Sequence, residues 1–73
     1  MLSEDKYLLL LGRKIEKLGY KKYKLQSELA EACEIDTRTL RRIIKATQNP
    51  SILILRKIAF ALDIPLSELV DVK

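Results

Sequence analysis

The stretch that decides the fold is QSELAEACEIDTRTLRRIIK, residues 26–45. From Thr37 onward it interleaves three arginines and one lysine with Leu40, Ile43 and Ile44. At about 100° per residue, the basic and the apolar side chains fall on opposite sides of a helix. The segment therefore predicts a helix that packs by one face and presents positive charge on the other.

The basic face carries no compensating acid, because no acidic residue follows Asp36 in this helix. Surface helices usually pair acids and bases at four-residue spacing, whereas like charges at that spacing repel and cost stability. An anionic partner would remove that cost, and arginine suits both phosphate and the O6/N7 edge of guanine. From the charge pattern alone, a solvated basic face and a DNA-binding face remain equally open.

The rest of the chain also has a helical pattern, since apolar residues recur at spacings of three and four almost throughout. Helices are expected at about residues 4–18, at 26–33, at about 37–45, at 52–62 and briefly after Pro65. Ser3, Asp36 and Ser51 are the expected side-chain caps. Gly19 is the natural stop of the first helix. The sequence therefore predicts an all-α fold.

Apolar stripes on these helices are expected to meet in one core. The stripes comprise Tyr7, Leu8, Leu11, Ile15 and Leu18 on the first helix, Leu29, Ala30, Ala32 and Cys33 on the second, and Ile52, Leu55, Ile58, Ala59 and Leu62 on the fourth. A chain of 73 residues has room for a single core of this kind, so we expect one domain over residues 1–73.

Composition narrows the kinds of function. The chain has no histidine and a single cysteine, Cys33, which we expect to be a buried, inert thiol. Without histidine there is no plausible zinc set and no common general base, so we expect no metal site, no cofactor and no catalytic residue. The longest uncharged apolar run, residues 7–11, is too short to cross a bilayer. We therefore expect a cytoplasmic protein that is not an enzyme and has no membrane association.

Residues 26–45 resemble the helix-turn-helix of the phage repressor and Cro type, the XRE-like family. The positions that carry the resemblance are Gln26, Leu29, Ala30, Ile35, Leu40 and Ile43. Ala30 is small where two helices cross closely, and the apolar residues after it lock the second helix of the motif against the first.

The resemblance extends from about Leu11 to Val70. It runs through Gly12 and Ile15, the Asn49-Pro50-Ser51 break, KIAFAL at residues 57–62 and the closing LSELV. It implies a compact five-helix, lambda-repressor-like domain in which the third helix enters the major groove of DNA.

The resemblance also implies which residues would touch DNA. Thr37, Arg38 and Arg42 are expected to read base edges, with Arg41 beside them, although Arg41 is equally placed to reach a phosphate or nothing. Gln26 occupies the phosphate-clamping position of the family, unless it is simply a good first-turn residue. The flanking residues expected to hold the DNA backbone are Lys24, Lys45, Thr47, Gln48 and Asn49.

Two departures from the family pattern stand out. Glu34 occupies a turn position often given to glycine in the left-handed conformation, so either the turn is strained or its geometry differs. The family commonly pairs an arginine late in the first helix with a glutamate late in the third, and these places hold Gly19 and Ile44. The loss of both partners together predicts apolar packing there and a first helix that ends early, at Gly19.

Several apolar residues are surplus to the expected core. Those assigned to a dimer interface are Leu53, Phe60, Leu66, Leu69 and Val70. We expect a twofold homodimer through the last two helices, bound to a palindromic operator. The alternative is that Leu53 and Phe60, with Leu9 and Leu10, thicken a small core.

The resulting expectation is a sequence-specific DNA-binding transcription regulator, acting as a repressor on double-stranded DNA. One alternative is an antitoxin or other partner-binding module whose helix-turn-helix is autoregulatory. Another is a protein-interaction domain that has lost DNA binding, which the acid-free face of the third helix argues against.

Overall fold

The computed structural model describes residues 3–72, which form five α-helices and no strand. The helices are α1 (Glu4–Lys22), α2 (Gln26–Ala32), α3 (Thr37–Ile44), α4 (Ile52–Leu62) and α5 (Leu66–Leu69). α1 contacts all four others, and α2 packs on α3. The predicted all-α architecture of five helices is confirmed. Within these residues no helix has the length and apolar character needed to span a membrane.

Side-chain caps start three of the helices as predicted. The Oγ of Ser3 accepts from the amide of Lys6 at 3.2 Å, and that of Ser51 accepts from Ile54 at 3.1 Å. The carboxylate of Asp36 accepts from the amide of Thr39 at 2.6 Å. Each cap satisfies an amide that the first helical turn leaves unpaired, so the starts of α1, α3 and α4 are set locally.

Gly19 does not end α1, and that prediction was wrong. The helix continues to Lys22, and the amide of Tyr23 donates to the carbonyl of Gly19 at 2.7 Å. Gly19 is buried, and a β-carbon there would lie 2.5 Å from Cδ2 of Leu29. The glycine therefore serves the close crossing of α1 and α2. Tyr23 holds the segment between α1 and α2 against α4, since its hydroxyl donates to the carbonyl of Ala61 at 3.1 Å.

The buried core lies between α1 and the remaining helices. It comprises Leu11, Ile15, Leu29, Ala30, Cys33, Leu40, Ile43, Ile44, Leu55, Ile58, Ala59, Ala61, Leu62 and Leu69. Tyr7 and Leu18 pack against it while partly exposed, and Leu8 is half-buried. Ile52 was expected in the core but is 60% exposed, because it is the first residue of α4 and the burial of that helix begins one turn later, at Leu55.

Gly12 sets where α3 lies against α1. A β-carbon at Gly12 would overlap the carbonyl oxygen of Ile44 and stand 2.8 Å from that of Ile43. The last turn of α3 thus rests directly on the backbone of α1. Ile44 and Gly19 line one crevice with Leu29, so the predicted apolar replacement of the family's ion pair is confirmed.

The segment after α5 is tied back to α1 by two side chains. The hydroxyl of Tyr7 donates to the carbonyl of Val70. The ammonium of Lys14 donates to the carbonyls of Glu68 and Asp71. These bonds hold the end of the described chain against the first helix.

Candidate nucleic-acid interface

α3 is held rigidly by its inner face. Leu40 is fully buried, Ile43 and Ile44 are almost so, and the helix packs against both α1 and α2. Asp36 fixes the first turn, and Gly12 admits the last turn to close contact with α1. The orientation of the outer face is therefore set by the core.

The outer face of α3 is basic. Arg38, Arg41, Arg42 and Lys45 stand at spacings of three and four residues and are all exposed, as predicted. Thr37, at the start of the same helix, is half-buried. This geometry presents several guanidinium groups on one helical surface, which suits the fork-like recognition of phosphates and guanine edges.

Asp36 is the acidic group beside this row. The amide and side chain of Thr39 donate to its carboxylate and hold the pKa of Asp36 below its ordinary value. The positive charges of Arg38 and Arg42 act in the same direction. The carboxylate is therefore ionised and committed to the helix end near neutral pH.

The turn between α2 and α3 keeps the left-handed geometry that usually calls for glycine. Glu34 has φ 58°, and the amide of Ile35 donates to the carbonyl of Ala30 at 3.1 Å. Of the two possibilities raised by the sequence, the strained turn is the one adopted. It aims Ile35 back toward the core, so the angle between the two helices is fixed.

The residues flanking α3 that were expected to contact the DNA backbone differ in their exposure. Lys24, Lys45 and Asn49 are exposed, whereas Gln26, the first residue of α2, and Gln48 are half-buried. Glu28 adds a contact that the sequence analysis missed, since its carboxylate accepts from the amide of Leu25 at 3.0 Å and so steadies the start of α2.

Thr47 caps the C-terminal end of α3, a role that the sequence did not predict. Its amide and its hydroxyl both donate to the carbonyl of Arg42, at 2.9 and 3.2 Å. Ala46 before it adopts φ 61°, which closes the helix in the way that glycine or asparagine usually does. The only signal in the sequence is the Asn49-Pro50 break, which does not mark Ala46.

A helix-turn-helix family model matches residues 11–69, which spans every helix except the first part of α1. The chain belongs to this family, in its XRE-like, repressor and Cro class. A search of curated proteins finds no match.

Among solved structures, this helix-turn-helix protein is similar to the restriction-modification controller protein C.AhdI from Aeromonas hydrophila. The two are 29% identical, with a TM-score of 0.80 over 85% of this chain and 94% of the other. The family and this structural neighbour identify the chain as a DNA-binding transcription regulator. Both are DNA-binding regulators rather than enzymes.

The surface predicted for dimerisation is only partly available in this helix-turn-helix protein. Phe60 is 85% exposed and Leu53 62% exposed, while Leu66 and Val70 are half-buried. Leu69 is fully buried, because it anchors α5 in the core, and no second chain can reach it. Leu53 and Phe60 do not thicken the core, whereas Leu10 is half-buried and Leu9 is 37% exposed.

Proposed function

We propose that this regulator inserts α3 into the major groove of double-stranded DNA and reads sequence with Thr37, Arg38 and Arg42. The observation that carries the proposal is the exposed row of basic side chains on α3 with no acid on the same face. Bidentate arginine contacts to guanine discriminate between bases, which a diffuse positive surface does not do. Arg41 belongs to the same row and contacts either a base or a phosphate.

The flanking residues position the protein on the DNA backbone. The phosphate-binding set is Lys24, Gln26, Lys45, Gln48 and Asn49. Gln26 stands at the N-terminus of α2, where free amides and the helix dipole favour an anion. Thr47 is left out of this set because its hydroxyl hydrogen is engaged with the carbonyl of Arg42.

We further propose that the protein acts as a homodimer on a palindromic operator and represses transcription. The exposed Leu53 and Phe60 on α4 support a twofold contact, since a patch of large exposed apolar side chains commonly marks an interaction site. C.AhdI is a restriction-modification controller protein, and the likeness supports a comparable regulatory role here.

Selection of bound duplexes from a random pool tests this function. The expected result is a palindrome with half-sites about 10 base pairs apart, centre to centre, and an affinity that falls steeply with salt. Failure to enrich any sequence, together with salt-independent binding, would show that the basic face of α3 does not meet DNA.

A partner-binding module, such as an antitoxin, is the second candidate. The observation in its favour is Phe60, whose 85% exposure fits a surface covered by another protein. Sedimentation of the purified chain separates the two: a self-associated dimer at tens of micromolar favours the regulator, and a monomer that dimerises only with a co-expressed small protein favours the module.

A further inference from the structure

A groove of about 580 Å³ runs between α4 and the turn that follows α2. Its lining residues include Cys33 and Ala59 on the floor, which are buried. Leu53 and Phe60, about two turns apart on the same side of α4, also line it and project into solvent. The protein thus carries both an apolar cleft and an exposed aromatic ring beside it.

The groove also carries opposite charges on its two sides. Glu34 lines it from the turn, and Arg56 and Lys57 line it from α4, all three being exposed. One stripe of α4 therefore combines Leu53, Phe60 and two cations, while the facing wall is anionic at Glu34.

This surface is self-complementary. In a twofold dimer each contact between one residue and another occurs twice, with the roles of the copies exchanged. With the twofold axis running along the groove, the anionic wall of one copy meets the cationic wall of the other, so opposite charges face each other. A stripe of cations alone would repel itself.

We propose that the occupant of the groove is a second copy of this chain. Phe60 of each protomer inserts into the groove of the other, and Glu34 of each faces Arg56 and Lys57 of the other. This inference rests on the homodimer of the proposed function and specifies how that dimer is held.

The backbone at Glu34 supports a role for its side chain. A glutamate at φ 58° is strained in a way that glycine would not be, and such outliers concentrate at functional sites. The strain does not serve the turn itself, which glycine would form at lower cost. It is explained if the carboxylate is needed on the wall of the groove.

An aromatic anchor is the kind of residue that dominates small interfaces. A phenylalanine side chain buries roughly 150–250 Å², and the twofold axis places Phe60 in the interface twice. The floor of the groove is apolar, so insertion of the Phe60 ring removes apolar surface from water.

The test compares two charge-reversed chains by sedimentation equilibrium, each of full length. Glu34→Lys makes both walls positive, and the combined Arg56→Glu and Lys57→Glu change makes both negative. Each variant alone is expected to dissociate about tenfold more readily than the unmodified chain, from the loss of close charge pairs.

An equimolar mixture of the two variants is expected to form heterodimers. The lysine introduced at position 34 of one chain then faces the introduced glutamates of the other, while the unchanged Arg56 and Lys57 of the first face the unchanged Glu34 of the second. Recovery of association in the mixture also shows that both variants are folded.

Phe60→Ala is expected to raise the dimer Kd about 30-fold or more, as truncation of an anchor does. A matched control is Leu9→Ala on α1, a partly exposed leucine outside the groove, which leaves the Kd unchanged.

Three results overturn the inference: an unmodified chain that is monomeric at tens of micromolar, charge-reversed chains that dimerise as well as the original, or a mixture that associates no better than its components. Arg42→Ala distinguishes this failure from failure of the proposed function. Arg42→Ala is expected to stay dimeric and to lose its preference for the operator. If it does so while the charge-reversed chains dimerise normally, the proposed interface is wrong and the DNA-binding function stands.

Discussion

Gly12 in α1 lies so close to the carbonyl oxygens of Ile43 and Ile44 that a β-carbon at this position would overlap the end of α3. Gly12→Ala must therefore push α3 away from α1. Despite a gain of about 1 kcal/mol in helix propensity, we expect a net loss of about 1–3 kcal/mol in the free energy of unfolding, measured in urea. DNA affinity should fall as well, because α3 changes position.

Gly19→Ala is the matched control, since both glycines are buried in α1. The β-carbon at Gly19 would meet only the end of the Leu29 side chain, which can rotate away. The propensity gain of about 1 kcal/mol then offsets the crowding, and we expect little net change. A Gly19→Ala loss as large as that of Gly12→Ala would show that the backbone contact at Ile44 is not what makes Gly12 special.

Glu34→Gly tests the strain in the turn. Glycine adopts the left-handed conformation of Glu34 without a β-carbon clash, so we expect the free energy of unfolding to rise by about 1 kcal/mol, measured at concentrations where the chain is monomeric. The same variant should dimerise less readily, because it lacks the carboxylate. A destabilised monomer would mean that the Glu34 side chain supports the fold of its own chain.

The elements predicted from sequence were those with local causes. Asp36 and Ser51 sit before helical stripes and accept amides from the first turn, so the starts of α3 and α4 could be read directly. The outer face of α3 followed from the positions of its arginines. These features need only the chain within a few residues of themselves.

The errors came from contacts between distant segments. Gly19 has the properties of a helix stop, and only the approach of Leu29 shows why it lies inside α1. Ile52 continues the stripe of α4 but is 60% exposed at the start of that helix. Leu69 was assigned to a surface, although α5 uses it to reach the core. Helical periodicity identifies an apolar face and does not say what covers it.

The cap at Asp36 should make the stability of α3 depend on pH in the acidic range. Hydrogen bonds from Thr39 lower the pKa of Asp36 in the folded chain, so its stabilising effect is present above its unfolded pKa of about 4 and is lost as pH falls through the lower folded pKa. Asp36→Asn keeps an N-cap acceptor without the titration. Urea midpoints between neutral and acid pH should fall more for the original chain than for the variant. An equal fall of the urea midpoint in both chains would show that Asp36 does not cause the acid sensitivity.

The thiol of Cys33 should be unreactive in the folded protein. Burial raises the pKa of its thiol to about 11, and the side chain is fully enclosed. At pH 8 a disulfide reagent should modify it slowly, at the rate at which the fold opens, and rapidly in urea. Fast modification of the native chain would show that the floor of the groove beside α4 opens to solvent.

Whether the basic face of α3 reads DNA sequence is tested most directly by comparing Arg42→Ala with Lys45→Ala. Both residues are exposed on α3, so neither change should alter thermal unfolding by much. Binding of each to the selected operator and to random duplex is measured by fluorescence anisotropy at one salt concentration. We predict that Arg42→Ala costs about 1–3 kcal/mol on the operator and much less on random DNA, while Lys45→Ala weakens both similarly. Equal losses on operator and random DNA for Arg42→Ala would contradict the assignment of α3 as the reading helix.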